Sequence, residues 1–185
     1  ALSETGNTKM AYDLFLSTEY PSWGFEVVNG ATTIWERWDS YTHENGFGGE
    51  QNARMNSFNH YAFGAVCEWM YEYAAGIKAT SPAYRTIEIR PEPDERLGHL
   101  RAEYNSISGK IVSAWKYEEE GLSMEVEIPA NVKANIFLPA NTENMITEGG
   151  KPLAEAEGIN VKGSENGYVE VVAGSGSYDF FIQGY

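Results

Sequence analysis

The hydrophobic pattern changes period near residue 80, and that change limits the chain to a helical part followed by a β part. Before it, apolar residues recur at helical spacing. Residues 9–18 carry Met10, Leu14 and Phe15 on one face, and Tyr20-Pro21 stops the segment. Residues 57–75 form the strongest predicted helix. Phe58, Ala62, Val66 and Met70 make one stripe, and Tyr61, Ala65, Trp69 and Tyr73 make the next. Asn56 or Ser57 is suited to cap its start, and Gly76 its end. Cys67 on this helix reads as a small buried apolar residue.

After Ser81-Pro82 the pattern alternates with period two. Residues 84–90 (Tyr-Arg-Thr-Ile-Glu-Ile-Arg) come first, and Pro91-Glu92-Pro93 ends them. Strands are also predicted over residues 100–106, 110–118, 122–128, 133–138, 168–173 and 176–182. Turn signals separate them, among them Ser108-Gly109, Glu120-Gly121, Gly149-Gly150 and Asn166-Gly167. This spacing predicts an antiparallel β-sandwich over residues 81–185, preceded by helices and loops over residues 1–80: an α+β chain. The two or three helices of the first part are too few to cover their own apolar faces together with Trp23, Phe25, Trp35 and Trp38.

Thirteen basic and 27 acidic residues give a net charge of −14, which argues against a nucleic-acid partner. No apolar run reaches membrane-spanning length, so no membrane partner is expected. A single cysteine excludes an intrachain disulfide and leaves the redox compartment open.

The chemistry concentrates in Gly30-Ala31-Thr32-Thr33-Ile34-Trp35-Glu36-Arg37-Trp38-Asp39. Aromatic faces cover the C–H side of a sugar ring, while carboxylates and guanidinium groups bind its hydroxyls. A carboxylate held between indole rings is partly desolvated, which suits proton transfer. Thr33-Ile34-Trp35-Glu36 also fits a helix capping box, and the pattern alone leaves both readings open. Arg37 reads as an ion-pair partner of Asp39 or Glu36. The glycine-rich loop over residues 40–55 is long enough to border a site. His43 and Glu44 within it lack a third ligand at proper spacing, so no metal is expected.

Three blocks carry a resemblance: Tyr20-Pro21-Ser22-Trp23-Gly24-Phe25, the Gly30–Asp39 block, and Asn56-Ser57-Phe58-Asn59-His60-Tyr61-Ala62-Phe63-Gly64-Ala65-Val66. In order and spacing they resemble the C-terminal part of bacterial α-L-rhamnosidases of glycoside hydrolase family 78. Residues 84–91, Ser106-Ile107-Ser108-Gly109-Lys110-Ile111 and Trp115 extend the likeness. The resemblance implies that residues 1–80 are the last helices and loops of an (α/α)6 catalytic toroid and that residues 81–185 are its C-terminal β-sandwich. It implies an inverting hydrolase that needs no cofactor and acts on rhamnose-containing carbohydrate. Such enzymes place a general acid and a general base about 6.5–9.5 Å apart, with water between base and sugar. Glu36 matches the general base and His60 a residue that binds rhamnose hydroxyls. Trp35 and Trp38 would shape the pocket. The acid belongs to an earlier acidic motif, and Asp39, Glu44 and Glu50 lie in the wrong blocks to replace it. The chain is therefore expected to need a missing N-terminal part of the catalytic domain, and to be inactive alone.

Two rivals differ in what they require. A carbohydrate-binding sandwich would expose aromatics such as Trp115, Tyr117 or Tyr168, yet four of the five tryptophans precede residue 70. A lyase on a similar toroid would need groups that neutralise a uronate, which the Trp-Glu-Arg-Trp block in an acidic chain does not favour.

Overall fold

The computed structural model describes residues 1–47 and 56–185, so part of the loop over residues 40–55, with Glu50, lies outside the described residues. The chain forms two compact units, Ala1–Glu68 and Trp69–Tyr185. With few helices in the first and two largely antiparallel sheets in the second, the architecture is α+β.

The first unit contains α1 (Thr8–Phe15) and α2 (Trp23–Val28). Helix α1 ends three residues earlier than its pattern suggests, and it turns a different face inward. Tyr12 is buried, whereas Met10 and Leu14 are exposed. Helix α2 starts where Ser22 Oγ accepts the Phe25 N–H at 3.0 Å, while its own hydroxyl donates to the Ser17 carbonyl at 2.8 Å. One hydroxyl thus caps the helix and ties it to the preceding loop. Gly24 permits this close approach, because a Cβ there would lie 2.2 Å from the Ser17 carbonyl oxygen.

The predicted helix over residues 57–75 is not one helix. It is a 3₁₀ turn (Tyr61–Ala65), then α3 (Val66–Trp69), then a π turn (Met70–Ala74). Residues 57–60 bond instead to residues 34–36, so neither Asn56 nor Ser57 caps a helix. The sequence pattern reads apolar periodicity but cannot see this competing pairing. Neither stripe is buried: Ala62 of the first and Tyr61 and Ala65 of the second are exposed, and the other members are half-buried. Cys67 is likewise exposed rather than buried.

The second unit is a sandwich of two sheets. In order of appearance its strands are β1 (Ile77–Ala79), β2 (Thr86–Ile89), β3 (His99–Ser106), β4 (Gly109–Glu118), β5 (Gly121–Ile128) and β6 (Lys133–Leu138). There follow β7 (Ile146–Glu148), β8 (Lys151–Pro152), β9 (Ile159–Glu165), β10 (Tyr168–Ala173) and β11 (Gly176–Gln183). One sheet runs β1-β2-β6-β10-β9 and the other β3-β4-β5-β11-β7-β8. Pairing is antiparallel except between β2 and β6. Alternation places Leu122, Met124, Val126 and Ile128 of β5 opposite Ala134, Ile136 and Leu138 of β6 and Val169 and Val171 of β10, in one core.

Trp115 belongs to that core. Its indole N–H donates to the Ala74 carbonyl at 2.8 Å, and the neighbouring Ser113 hydroxyl donates to the Ala75 carbonyl at 2.6 Å. Trp115 is therefore not available as an exposed sugar platform. Strand β2 begins two residues later than expected because Ala83 and Tyr84 adopt left-handed φ of 61° and 56°. The Ser108 hydroxyl holds that turn by donating to the Ala83 carbonyl. Strands β1, β7, β8 and β9 escaped the pattern because three are very short and β9 has an almost wholly exposed face sequence.

Candidate active site

The Trp-Glu-Arg-Trp block is irregular backbone, and hydrogen bonds from residues 57–60 hold it in place. Glu36 N–H donates to the Ser57 carbonyl at 2.8 Å, and His60 N–H donates to the Ile34 carbonyl at 2.8 Å. Thr33 Oγ1 donates to the Phe58 carbonyl. The Ser57 N–H returns a bond to Glu36 Oε2 at 2.8 Å. The brace therefore sets both the backbone and the side chain of Glu36, and brings the segment carrying His60 alongside it. No helix starts at Thr33, so the capping-box alternative has no structural counterpart. Glu36 is half-buried, with Oε1 left out of the Ser57 contact.

Two aromatic clusters flank this brace. In one, Trp35 meets Phe58 and Tyr41 edge-on with centroids 5.6 and 6.4 Å away, and Phe47 touches both partners. Trp35 is only 6% exposed, so it supports the site from below and offers no open ring face. In the other cluster, Trp38 meets Trp23 edge-on at 5.2 Å and Phe63 at 6.1 Å. Phe63 in turn lies 5.0 Å from the His60 ring, which stacks on Tyr61. A continuous row of rings thus joins Trp38 to His60. The two indoles of the block therefore belong to different ring clusters.

A buried acid, Glu26, has no motif in the sequence to mark it. It sits in α2 within the run Trp23-Gly24-Phe25-Glu26-Val27-Val28, is 2% exposed, and accepts the Trp35 N–H through Oε2 at 3.4 Å. Burial pushes its pKa above the ordinary carboxylate value, and the Trp35 N–H offsets this in part. The only signal for it was a lone acid in an apolar stretch. Among the described residues, four buried side-chain atoms have no hydrogen-bond partner: Trp23 Nε1, Glu26 Oε1, Asn56 Nδ2 and His60 Nδ1. Unmatched buried polar groups are costly.

Among the described residues, no three His, Cys, Asp or Glu side chains are grouped to hold an ion. His43 lies against the Tyr41 ring, and its backbone N–H donates to Asn29 Oδ1.

Residues 1–74 match the family described as the bacterial alpha-L-rhamnosidase 6 hairpin glycosidase domain. Residues 76–152 match the bacterial alpha-L-rhamnosidase C-terminal domain. The chain belongs to the bacterial α-L-rhamnosidase family. An alpha-L-rhamnosidase of Formosa agariphila is 36% identical over 97% of this chain, and one of Streptomyces avermitilis is 36% identical over 98%. Among solved structures, that of Streptomyces avermitilis alpha-L-rhamnosidase complexed with L-rhamnose superposes with a TM-score of 0.81 at 35% identity, over 98% of this chain and 17% of that one. That of the Dictyoglumus thermophilum enzyme gives 0.79 at 33% identity, over 98% of this chain and 20% of that one. The chain spans 19% and 16% of the length of the two curated relatives.

Proposed function

We propose that this chain is the C-terminal part of a longer inverting α-L-rhamnosidase, with residues 1–80 closing the catalytic toroid and residues 81–185 forming its C-terminal sandwich. The whole protein releases terminal α-linked L-rhamnose from plant glycosides or polysaccharides. Glu36 acts as general base through the carboxylate that Ser57 orients, taking a proton from water as that water attacks the anomeric carbon. His60 binds sugar hydroxyls, Trp38 walls the pocket, and Trp35 supports it from within. The general acid that protonates the departing oxygen comes from the upstream part of the protein, so this chain alone does not turn over substrate. Inverting hydrolysis draws on two carboxyl groups and water, with no cofactor.

The observation that carries this reading is the brace between residues 33–36 and 57–60, which places the Glu36 carboxylate beside the segment bearing His60. The test is hydrolysis of p-nitrophenyl α-L-rhamnoside by the chain and by a version extended N-terminally through the whole toroid, each with and without Glu36→Gln. The extended protein should be active, Glu36→Gln should abolish that activity, and the chain alone should be silent. Turnover by the chain alone would mean that its acid lies within these residues. Activity of the extended protein on a different sugar only would reject the substrate while sparing the base.

A further inference from the structure

The sandwich carries a hollow lined by cations, carboxylates and aromatic rings, on the outer face of the β1-β2-β6-β10-β9 sheet. Its volume is about 280 Å³. Arg90, just beyond β2, places its guanidinium carbon 4.6 Å from the Tyr168 ring centroid and 4.9 Å from that of Phe137. Held over two rings, the guanidinium has little freedom to lose on binding, and its in-plane N–H donors keep a fixed fork. The Tyr168 hydroxyl donates to the Pro91 carbonyl at 3.3 Å, which fixes that ring.

Lys162, Glu165 and Glu170 complete the wall. Gly163 stands opposite Glu170 in the β9–β10 register and puts no side chain into the hollow, where a Cβ would meet nothing within 4 Å. The pairing slips immediately afterwards, between Glu170 and Val171, a local irregularity of the kind that re-aims side chains. Asn166 and Gly167, with φ of 52° and 81°, make the tight turn that closes one end.

Charge selects among ligands. Arg90 and Lys162 balance Glu165 and Glu170, so the hollow has no net charge to attract a free anion or cation. Paired donors and acceptors beside fixed aromatic rings suit a group that both donates and accepts. We infer that this groove on the sandwich is a second binding site for a neutral saccharide, separate in sequence and unit from the Glu36 brace.

The test is an amide NMR titration of the full chain with L-rhamnose, a panel of neutral hexoses and, separately, sodium sulfate. Saturable shifts at the Gly163, Asn166 and Gly167 amides with any neutral sugar are expected. Lys162→Ala and Glu170→Gln should each weaken that binding about tenfold, as loss of a hydrogen bond to a charged group does. Both positions lie on the outer face, so the fold is kept, and unchanged shifts elsewhere verify it. Glu36→Gln should leave this binding unaltered, which separates its outcome from that of the hydrolysis assay. The inference is overturned if no sugar produces saturable shifts at these amides, if the two variants bind as the parent does, or if sulfate moves the same amides as strongly as the sugars.

Discussion

At the scale of single residues, Glu36, Glu26 and Gly76 each illustrate a different constraint. Glu36 stood out in the sequence because its neighbours are aromatic and because it falls in a block that resembles a known family. Its orientation was not legible there, since it depends on a bond from Ser57, 21 positions away. Glu26 was not legible as a buried acid at all. Its raised pKa has a consequence of definite sign. Relative to the unfolded chain, the folded form holds the Glu26 proton more tightly, so Glu26 stabilises the fold below its ordinary value of 4.5 and loses that contribution as pH rises through the raised value. Glu26→Gln should therefore lose less stability than the parent between pH 4.5 and neutrality, as urea denaturation of the first unit at several pH values would show. At Gly76, φ is 75° and an added Cβ would lie 2.1 Å from the Arg90 carbonyl carbon. Gly76→Ala should cost roughly 2 kcal/mol or more, measured by equilibrium unfolding, because strain and overlap act together.

At the scale of elements, strands were more legible than helices. Strands β3 to β6, β10 and β11 follow from alternation and turn residues, because a sandwich strand buries one face regardless of its neighbours. The helix predicted over residues 57–75 failed at its start because bonds to residues 34–36 claim the backbone of residues 57–60. Helix α2 depends on its cap. Ser22→Ala should reduce stability by about 1 kcal/mol, read from the unfolding midpoint, since it deletes the bond to Phe25 N–H and the bond to Ser17 together. Trp115→Phe keeps most of the packing but removes the bond to the Ala74 carbonyl. It should cost about 1 to 3 kcal/mol, because a buried carbonyl is left unmatched.

At the scale of the molecule, the two units differ in how well they are filled. The core that joins the two sheets draws all its members from residues 75–182. In the first unit, Tyr12 and Trp35 are the buried large apolar side chains among the described residues, while Met10, Leu14, Val27, Val28, Phe47 and Tyr61 are exposed. Burial of apolar area is the main stabilising term in folding, so the second unit should resist proteolysis longer. Limited digestion with chymotrypsin should cut within residues 1–68 first and leave a resistant fragment covering residues 69–185, identified by mass spectrometry. Simultaneous loss of both would contradict this.

The α-then-β order, most of the sandwich strands and the block that carries Glu36 are legible in the residues alone, because period and turn chemistry are local properties. Family membership was also legible, through the order and spacing of the three blocks. Tertiary structure alone decided that Glu36 is braced by Ser57, that Trp35 lies inside while Trp38 joins the row of rings to His60, that Glu26 is buried, and that Trp115 serves the core. Each of these depends on contacts between residues far apart in the chain, and no local pattern encodes which distant partner will satisfy a backbone N–H, a carboxylate or an indole.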